Sequence, residues 1–247
     1  MNTGLRASKL KQGGIRRDNA SHEASKCGIV GAFFRQTVMK HRESLKELLR
    51  RKSVFQGGEF TLSSGQKSNY YIDCKLTTLD PEGAVLTGYT ILELLKDSGI
   101  RADAIGGLTM GADPIVTAVA AVSYLERDPL PGFLIRKRRK EHGREKQIEG
   151  IDENKSWKVV IVDEVCTTGD STFEAIELAE QQGLQVVAVV SLVDREEGGS
   201  KRLRGKYPYF RVFTARELLD GDQQRAPGSE KTADDTGQST TGNPRPA

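Results

Sequence analysis

Two segments of this chain are apolar almost residue for residue. Val159 to Val162 reads Val-Val-Ile-Val, and Val186 to Val193 is interrupted only by Ser191. A strand with one wet face alternates apolar and polar side chains. A strand that is apolar throughout must be covered on both faces. Helical patterns surround these runs. Leu45, Leu48 and Leu49 fall at i, i+3, i+4; Val85, Leu86, Tyr89 and Leu92 continue from Asp80-Pro81, a capping residue followed by proline at the first helical position, towards Gly99. Pro114 to Tyr124 and Phe173 to Gln182 read as two more helices, the latter stopped by Gly183. Tyr70 to Ile72, Ala104-Ile105, Phe133 to Ile135 and Tyr209 to Phe213 supply further strands, and Thr214 with Glu217 forms a capping box for a last short helix. Alternation of this kind predicts an α/β fold in three layers, with a mostly parallel central sheet and right-handed crossovers.

The ends differ from the middle. Residues 221–247 carry no apolar side chain larger than alanine or proline, and residues 1–40 are polar and mildly basic over their first two-thirds. Such segments bury too little surface to offset the entropy of ordering. The expected organisation is a disordered N-terminal extension at 1–40, one folded domain at 41–220 and a disordered tail at 221–247. Met39 stands just ahead of the first helical pattern as an alternative start. A formal charge of +3 argues against a general nucleic-acid or anionic-membrane binder. No apolar run approaches the ~20 residues of a membrane span. Three scattered cysteines, Cys27, Cys74 and Cys166, give neither a disulfide framework nor zinc-ligand spacing, which points to a reducing, cytoplasmic setting.

Three segments follow predicted strands, where open parallel sheets bind ligands. In the first, the strand at Val159 to Val162 runs into Asp163 and Glu164, then Val165, Cys166, Thr167, Thr168 and Gly169, and then Asp170 and Ser171 at a helix start. The amides and hydroxyls of such a turn suit an anion, and the two acids suit the hydroxyls of an attached sugar or a metal. A capped turn with solvent-facing acids is the plain alternative. The second, residues 136–146, includes Arg136, Lys137, Lys140 and His142. It reads as a solvated or nucleic-acid-binding patch when taken alone, but at a strand's C-terminal end it can close over a polyphosphate. His142 can donate a proton or a charge-assisted hydrogen bond there. The third, Gly106 to Pro114, is a glycine-rich turn that allows close approach to a diphosphate. Together the three describe one ligand, a sugar phosphate that also carries a diphosphate.

The run Asp163 to Ser171 resembles the phosphoribosyl-diphosphate signature of type I phosphoribosyltransferases. Four further stretches resemble the orotate phosphoribosyltransferases among them: Phe60 to Ser68 with Tyr70-Tyr71, Gly107 to Pro114, Arg136-Lys137 with Lys140 and His142-Gly143, and Val193 to Gly199. The resemblance implies transfer of a phosphoribosyl group from 5-phosphoribosyl 1-diphosphate to orotate, giving orotidine 5′-monophosphate and diphosphate in pyrimidine synthesis. It implies Mg2+ bridging diphosphate and ribose oxygens. It implies a homodimer in which loop 137–146 reaches the neighbouring site, with neither nucleic acid nor membrane as partner. Lys140, His142 and Asp163 would be catalytic. Arg136, Lys137, Lys140 and His142 would hold the diphosphate, Asp163 and Glu164 the ribose hydroxyls, and 167–171 the 5-phosphate. Tyr71 and the Thr167 hydroxyl would face the base, and Ser63 would be a further substrate-binding residue. Arg195 would pair with the orotate carboxylate, which a guanidinium can grip bidentately.

The sequence departs from the family pattern in places. The second acid of the signature is usually Asp. Glu164 is one methylene longer, so its carboxylate reaches the same point only if backbone or rotamer shifts. Relatives often carry Lys where Ser63 stands, and some near Met110, which moves the cationic burden onto 136–146. Cys166 reads as a small filler rather than a nucleophile. Three other functions remain open at this level: a phosphoribosyltransferase for another base, a non-catalytic sensor or regulator that binds phosphoribosyl diphosphate, and nucleic-acid binding by the 136–146 cluster.

Overall fold

The computed structural model describes residues 28–61, 67–137, 147–152 and 155–220, with side chains from residue 40 onward. Six strands form the central sheet: β3 (Ala104–Leu108), β4 (Gly132–Ile135), β5 (Ile148–Glu149), β6 (Lys158–Cys166), β7 (Gln185–Asp194) and β8 (Tyr209–Thr214). β1 (Val54–Thr61) and β2 (Lys67–Ile72) make a separate antiparallel pair. The helices are α1 (Gly28–Ser53), α2 (Lys75–Thr78), α3 (Pro81–Asp97), α4 (Asp113–Leu125), α5 (Asp170–Gln181), α6 (Gly199–Arg204) and α7 (Ala215–Leu219). The sheet order is β5-β4-β3-β6-β7-β8, parallel throughout except for β5 against β4.

The apolar strands divide their side chains between two cores, as a two-faced sheet requires. Val160 and Val162 pack with Leu45, Leu49, Ile91 and Val119 on one face. Val159 and Ile161 pack with Phe133, Ile176 and Ala179 on the other. Ile161 is fully buried, so cutting it back to alanine would cost about 2–5 kcal/mol. Local chemistry sets the helix ends. Asp80 accepts from the N–H groups of Glu82 and Gly83, with Pro81 behind it, and Gly99 follows α3 at φ +68°. Thr214 and Glu217 close the capping box of α7.

The structure moves several boundaries. Helix α1 begins at Gly28, so its first turns fall within the 1–40 stretch. β6 does not stop at Val162. Its pairing with β7 continues through Asp163↔Ser191 to Cys166↔Asp194, which places both acids inside the strand. β1, the short β5, α2 and α6 are elements that the sequence periodicity did not predict.

In the order β4-β3-β6-β7, the chain steps outward from β3 to β4 and then returns to place β6 on the other side of β3. The C-terminal ends of these strands therefore open a crevice at a topological switch point.

Candidate active site

Asp163 and Glu164 are neighbours in β6, so their side chains leave on opposite faces of the sheet. On one face, Asp163 Oδ2 accepts from Ser171 Oγ at 3.0 Å and Thr172 Oγ1 at 2.6 Å, both in the first turn of α5. Its Oδ1 accepts from the Glu164 N–H at 2.8 Å. On the other face, Glu164 is buried and its Oε2 lies 2.6 Å from Lys75 Nζ of α2. Burial pushes the Glu164 carboxyl above its ordinary value, and the Lys75 ammonium pulls against that. The two acids are thus not a side-by-side pair, because the strand does not end before them.

Between β6 and α5 the chain turns through Thr167, Thr168 and Gly169, the last at φ +83°. The turn delivers the chain into the N-terminus of α5, whose first N–H groups have no carbonyl partner within the helix. A second element braces it. Arg202 of α6 donates to the Thr168 carbonyl at 2.6 Å and to Asp170 Oδ1 at 2.7 Å, while Thr168 Oγ1 donates to Asp170 Oδ2. These bonds, Arg202 first, hold the Asp170 carboxyl below its usual range. Gly199 packs so tightly here that a Cβ would stand 2.5 Å from the Thr167 carbonyl oxygen. The result is a fixed, amide-lined turn with its own acid drawn aside by a guanidinium.

Cys166 and Val165 support the turn from within β6. Cys166 is a free, fully buried thiol, and burial raises its pKa to about 11. It is a packing residue, as the sequence suggests.

At the end of β4, Arg136 and Gln147 exchange two bonds. The Arg136 N–H donates to the Gln147 carbonyl at 2.9 Å, and the Gln147 side chain donates to the Arg136 carbonyl at 3.3 Å. The segment between them thus leaves and rejoins the sheet at one point. Arg136 pairs with Glu149 at 3.2 Å and Lys137 approaches Glu174 at 3.8 Å. Lys140 and His142 lie outside the described residues, as does Ser63.

Arg195 follows β7. It is 9% exposed, its Nε donates to Glu197 at 2.7 Å, and its guanidinium stacks 4.4 Å from the centre of the Tyr70 ring. Nη2 reaches Ser68 Oγ at 3.4 Å. Burial pushes the Tyr70 phenol above its ordinary pKa, with Arg195 opposing. The aromatic partner of Arg195 is therefore Tyr70. Tyr71, whose side chain alternates to the other face of β2, packs against Phe60 and Phe55 and is 41% exposed. Sequence reasoning did not foresee the Arg195–Tyr70 stack, since alternation alone does not say which face of β2 turns inward.

The glycine-rich turn after β3 completes the crevice. Gly107 packs against β6 closely enough that a Cβ would sit 2.2 Å from the Val162 carbonyl oxygen. The Thr109–Met110 peptide is cis, and Met110 is exposed. Lys75, Thr172 and Arg202, which no local motif announced, are the residues that hold Glu164, Asp163 and the 167–170 turn.

Residues 89–220 match the model of the phosphoribosyl transferase domain family. The chain is 42% identical over 185 residues to an orotate phosphoribosyltransferase of Aquifex aeolicus, covering 74% of this chain and all of that one. It is 43% identical over 182 residues to one from Bradyrhizobium, covering 72% of this chain and 97% of the relative. Among solved structures, orotate phosphoribosyltransferase of Mycobacterium tuberculosis in complex with 5-phospho-alpha-D-ribosyl 1-diphosphate superimposes with a TM-score of 0.60 at 32% identity. That match covers 72% of this chain and 98% of the other.

Proposed function

Because the chain belongs to the orotate phosphoribosyltransferase family, we propose a division of labour along its strand tips that performs the family reaction. The activity is transfer of the phosphoribosyl group of 5-phosphoribosyl 1-diphosphate to orotate, yielding orotidine 5′-monophosphate and diphosphate for pyrimidine synthesis. The observation that carries the assignment of residues is the braced turn 167–170 at the start of α5, flanked on one side by Asp163 and on the other by Arg195 of the adjacent strand end.

In this reading, the amides and hydroxyls of Thr167, Thr168, Gly169 and Ser171 receive the 5-phosphate, favoured by the partial positive charge of the helix start. Asp163 accepts from a ribose hydroxyl in place of its bond to Ser171, while buried Thr172 keeps its hold on Oδ2 from behind. Glu164 contributes from the opposite face. Arg195 offers its terminal nitrogens to the orotate carboxylate while Glu197 holds Nε, so the guanidinium is aimed before the ligand arrives. Arg136, Lys137, Lys140 and His142 neutralise the departing diphosphate, with His142 able to hand it a proton. The transition state gathers positive charge at the anomeric carbon as the leaving group departs. Rate enhancement therefore comes from positioning, leaving-group neutralisation and exclusion of water.

Among the described residues, no group of three or more His, Cys, Asp or Glu is arranged to hold a metal ion. Mg2+ would enter this crevice with the donor, since it prefers hard oxygen ligands and needs only one or two of them from the protein. When bound there, the ion neutralises the leaving group.

The 41–220 domain works as a homodimer in this reading, with loop 137–146 reaching the partner's site. Support comes from an apolar surface along α3 and α4, where Val85, Tyr124 and Leu125, with Leu79 at the end of α2, are exposed together with the groove residues Pro114, Thr117 and Ala121. A cytoplasmic setting agrees with the free thiols of Cys74 and Cys166, and among the described residues no helix is long and apolar enough to cross a membrane. The test is loss of orotate absorbance with Mg2+ and the diphosphate donor. Turnover that requires both supports the proposal, and equal use of other bases would refute the orotate preference.

A further inference from the structure

Glu164 stands one methylene further from the backbone than an aspartate would, and the structure shows what has been built around that extra length. Its Oε2 lies 2.6 Å from Lys75 Nζ, and Lys75 also approaches Asp73 at 3.6 Å. A Cβ on Gly111, in the turn after β3, would come within 3.2 Å of the same Oε2. Lys75 and Gly111 thus form a seat for the longer acid, with charge on one side and space on the other. The Glu164 side chain is 10% exposed, whereas that of Lys75 is 40% exposed, so the acid is the buried member and the lysine reaches in from solvent.

We propose that Lys75 is a positioning residue for phosphoribosyl transfer, seating the Glu164 carboxylate at the crevice through this ion pair. The inference rests on the function proposed above. Charged and titratable groups facing Glu164 are Asp73 and Cys74 from the segment before α2, Lys75 on α2, and Asp163 on β6. Asp73, Asp163 and burial all favour the protonated acid, and Lys75 is the group that opposes them. Removing the ammonium leaves a desolvated carboxylate in the field of Asp73 and Asp163, and such a group takes up a proton in place of standing unpaired. A protonated Glu164 no longer accepts from a ribose hydroxyl as a charged group does.

The experiment measures kcat/KM for the diphosphate donor against pH in wild type, Lys75→Met, Lys75→Arg, Glu164→Gln and Lys75→Met with Glu164→Gln. Lys75→Met is expected to lower kcat/KM roughly tenfold at neutral pH and to move the acid limb of the profile upward. Lys75→Arg keeps the charge and should leave that limb near its wild-type place. In the Glu164→Gln background, Lys75→Met should add little further loss, because the lysine acts through the acid. An acid limb unmoved by Lys75→Met, or an equal loss with and without Glu164, overturns the inference while an active wild type leaves the proposed function standing. An inert wild type instead overturns the function itself. Matching thermal transitions for the variants separate these results from misfolding.

Discussion

Thr172 Oγ1 donates a 2.6 Å hydrogen bond to Oδ2 of Asp163, tying the acid near the end of β6 to the first turn of α5. Thr172 is buried and Asp163 is only half-buried, so the bond orients the carboxylate from behind. Thr172→Val keeps the shape and deletes the donor. A hydrogen bond to a charged group is worth about 1.5–3 kcal/mol. The variant should therefore lose up to that much stability in denaturant titration and show a lower kcat/KM for the phosphoribosyl donor. Unchanged kinetics would remove Asp163 orientation from the account.

Arg202 braces the phosphate turn from a different element, so its removal should act on binding more than on chemistry. Arg202→Ala deletes the contacts to Thr168 and Asp170 and frees an acid beside the phosphate position. A rise of a few fold in KM for the donor is expected, with kcat nearly constant, as for an interaction made equally in ground and transition states. Equal falls in kcat and kcat/KM would place Arg202 in the chemical step instead.

Gly107 of β3 lies hard against the backbone of β6 beside the crevice. Gly107→Ala would push a methyl group to 2.2 Å from the Val162 carbonyl oxygen, against backbone that cannot swing away. Overpacking of this kind costs about 1–3 kcal/mol. Thermal unfolding should fall by several degrees, and a melting temperature equal to wild type would show that the strands separate freely.

The join between α1 and the end of the domain carries a pH signature. Arg42 donates to Glu217 at 2.7 Å and stacks on Phe213 at 4.6 Å. Burial pushes the Glu217 carboxyl up, but Arg42 and the Thr214 amide and hydroxyl outweigh it and hold the folded-state pKa below the ordinary value. A lowered folded pKa means that this stabilisation is complete above the unfolded glutamate pKa of about 4.3 and is lost as pH falls through the folded value. Arg42→Met should lower stability at neutral pH and weaken its fall on acidification. A variant whose acid denaturation parallels wild type would contradict this.

Much of the fold was legible because burial on two faces leaves a direct mark. Val159 to Val162 could be nothing but an inner strand, and Asp80-Pro81 and Thr214 with Glu217 announced their helices by capping chemistry alone. Placing Asp163 to Ser171 at the sheet's C-terminal edge followed from the same alternation. The end of β6 was misjudged because acids usually mark solvent, and only pairing with β7 shows them still in the ladder. The supporting residues were illegible for a different reason. Lys75 meets Glu164 across 89 positions and Arg195 meets Ser68 across 127, contacts that no local spacing encodes. β5 has two residues and α2 four, too short for either period to show.

The central claim is that both ends of one phosphorylated sugar are gripped at the tips of β3, β4, β6 and β7. A crystal structure of the protein soaked with 5-phosphoribosyl 1-diphosphate and Mg2+ tests it most directly. The account predicts the 5-phosphate on the amides of 167–171, a ribose hydroxyl at Asp163, and the diphosphate towards Arg136 and Lys137. Well-defined density for the sugar phosphate elsewhere, with this turn empty, would contradict it.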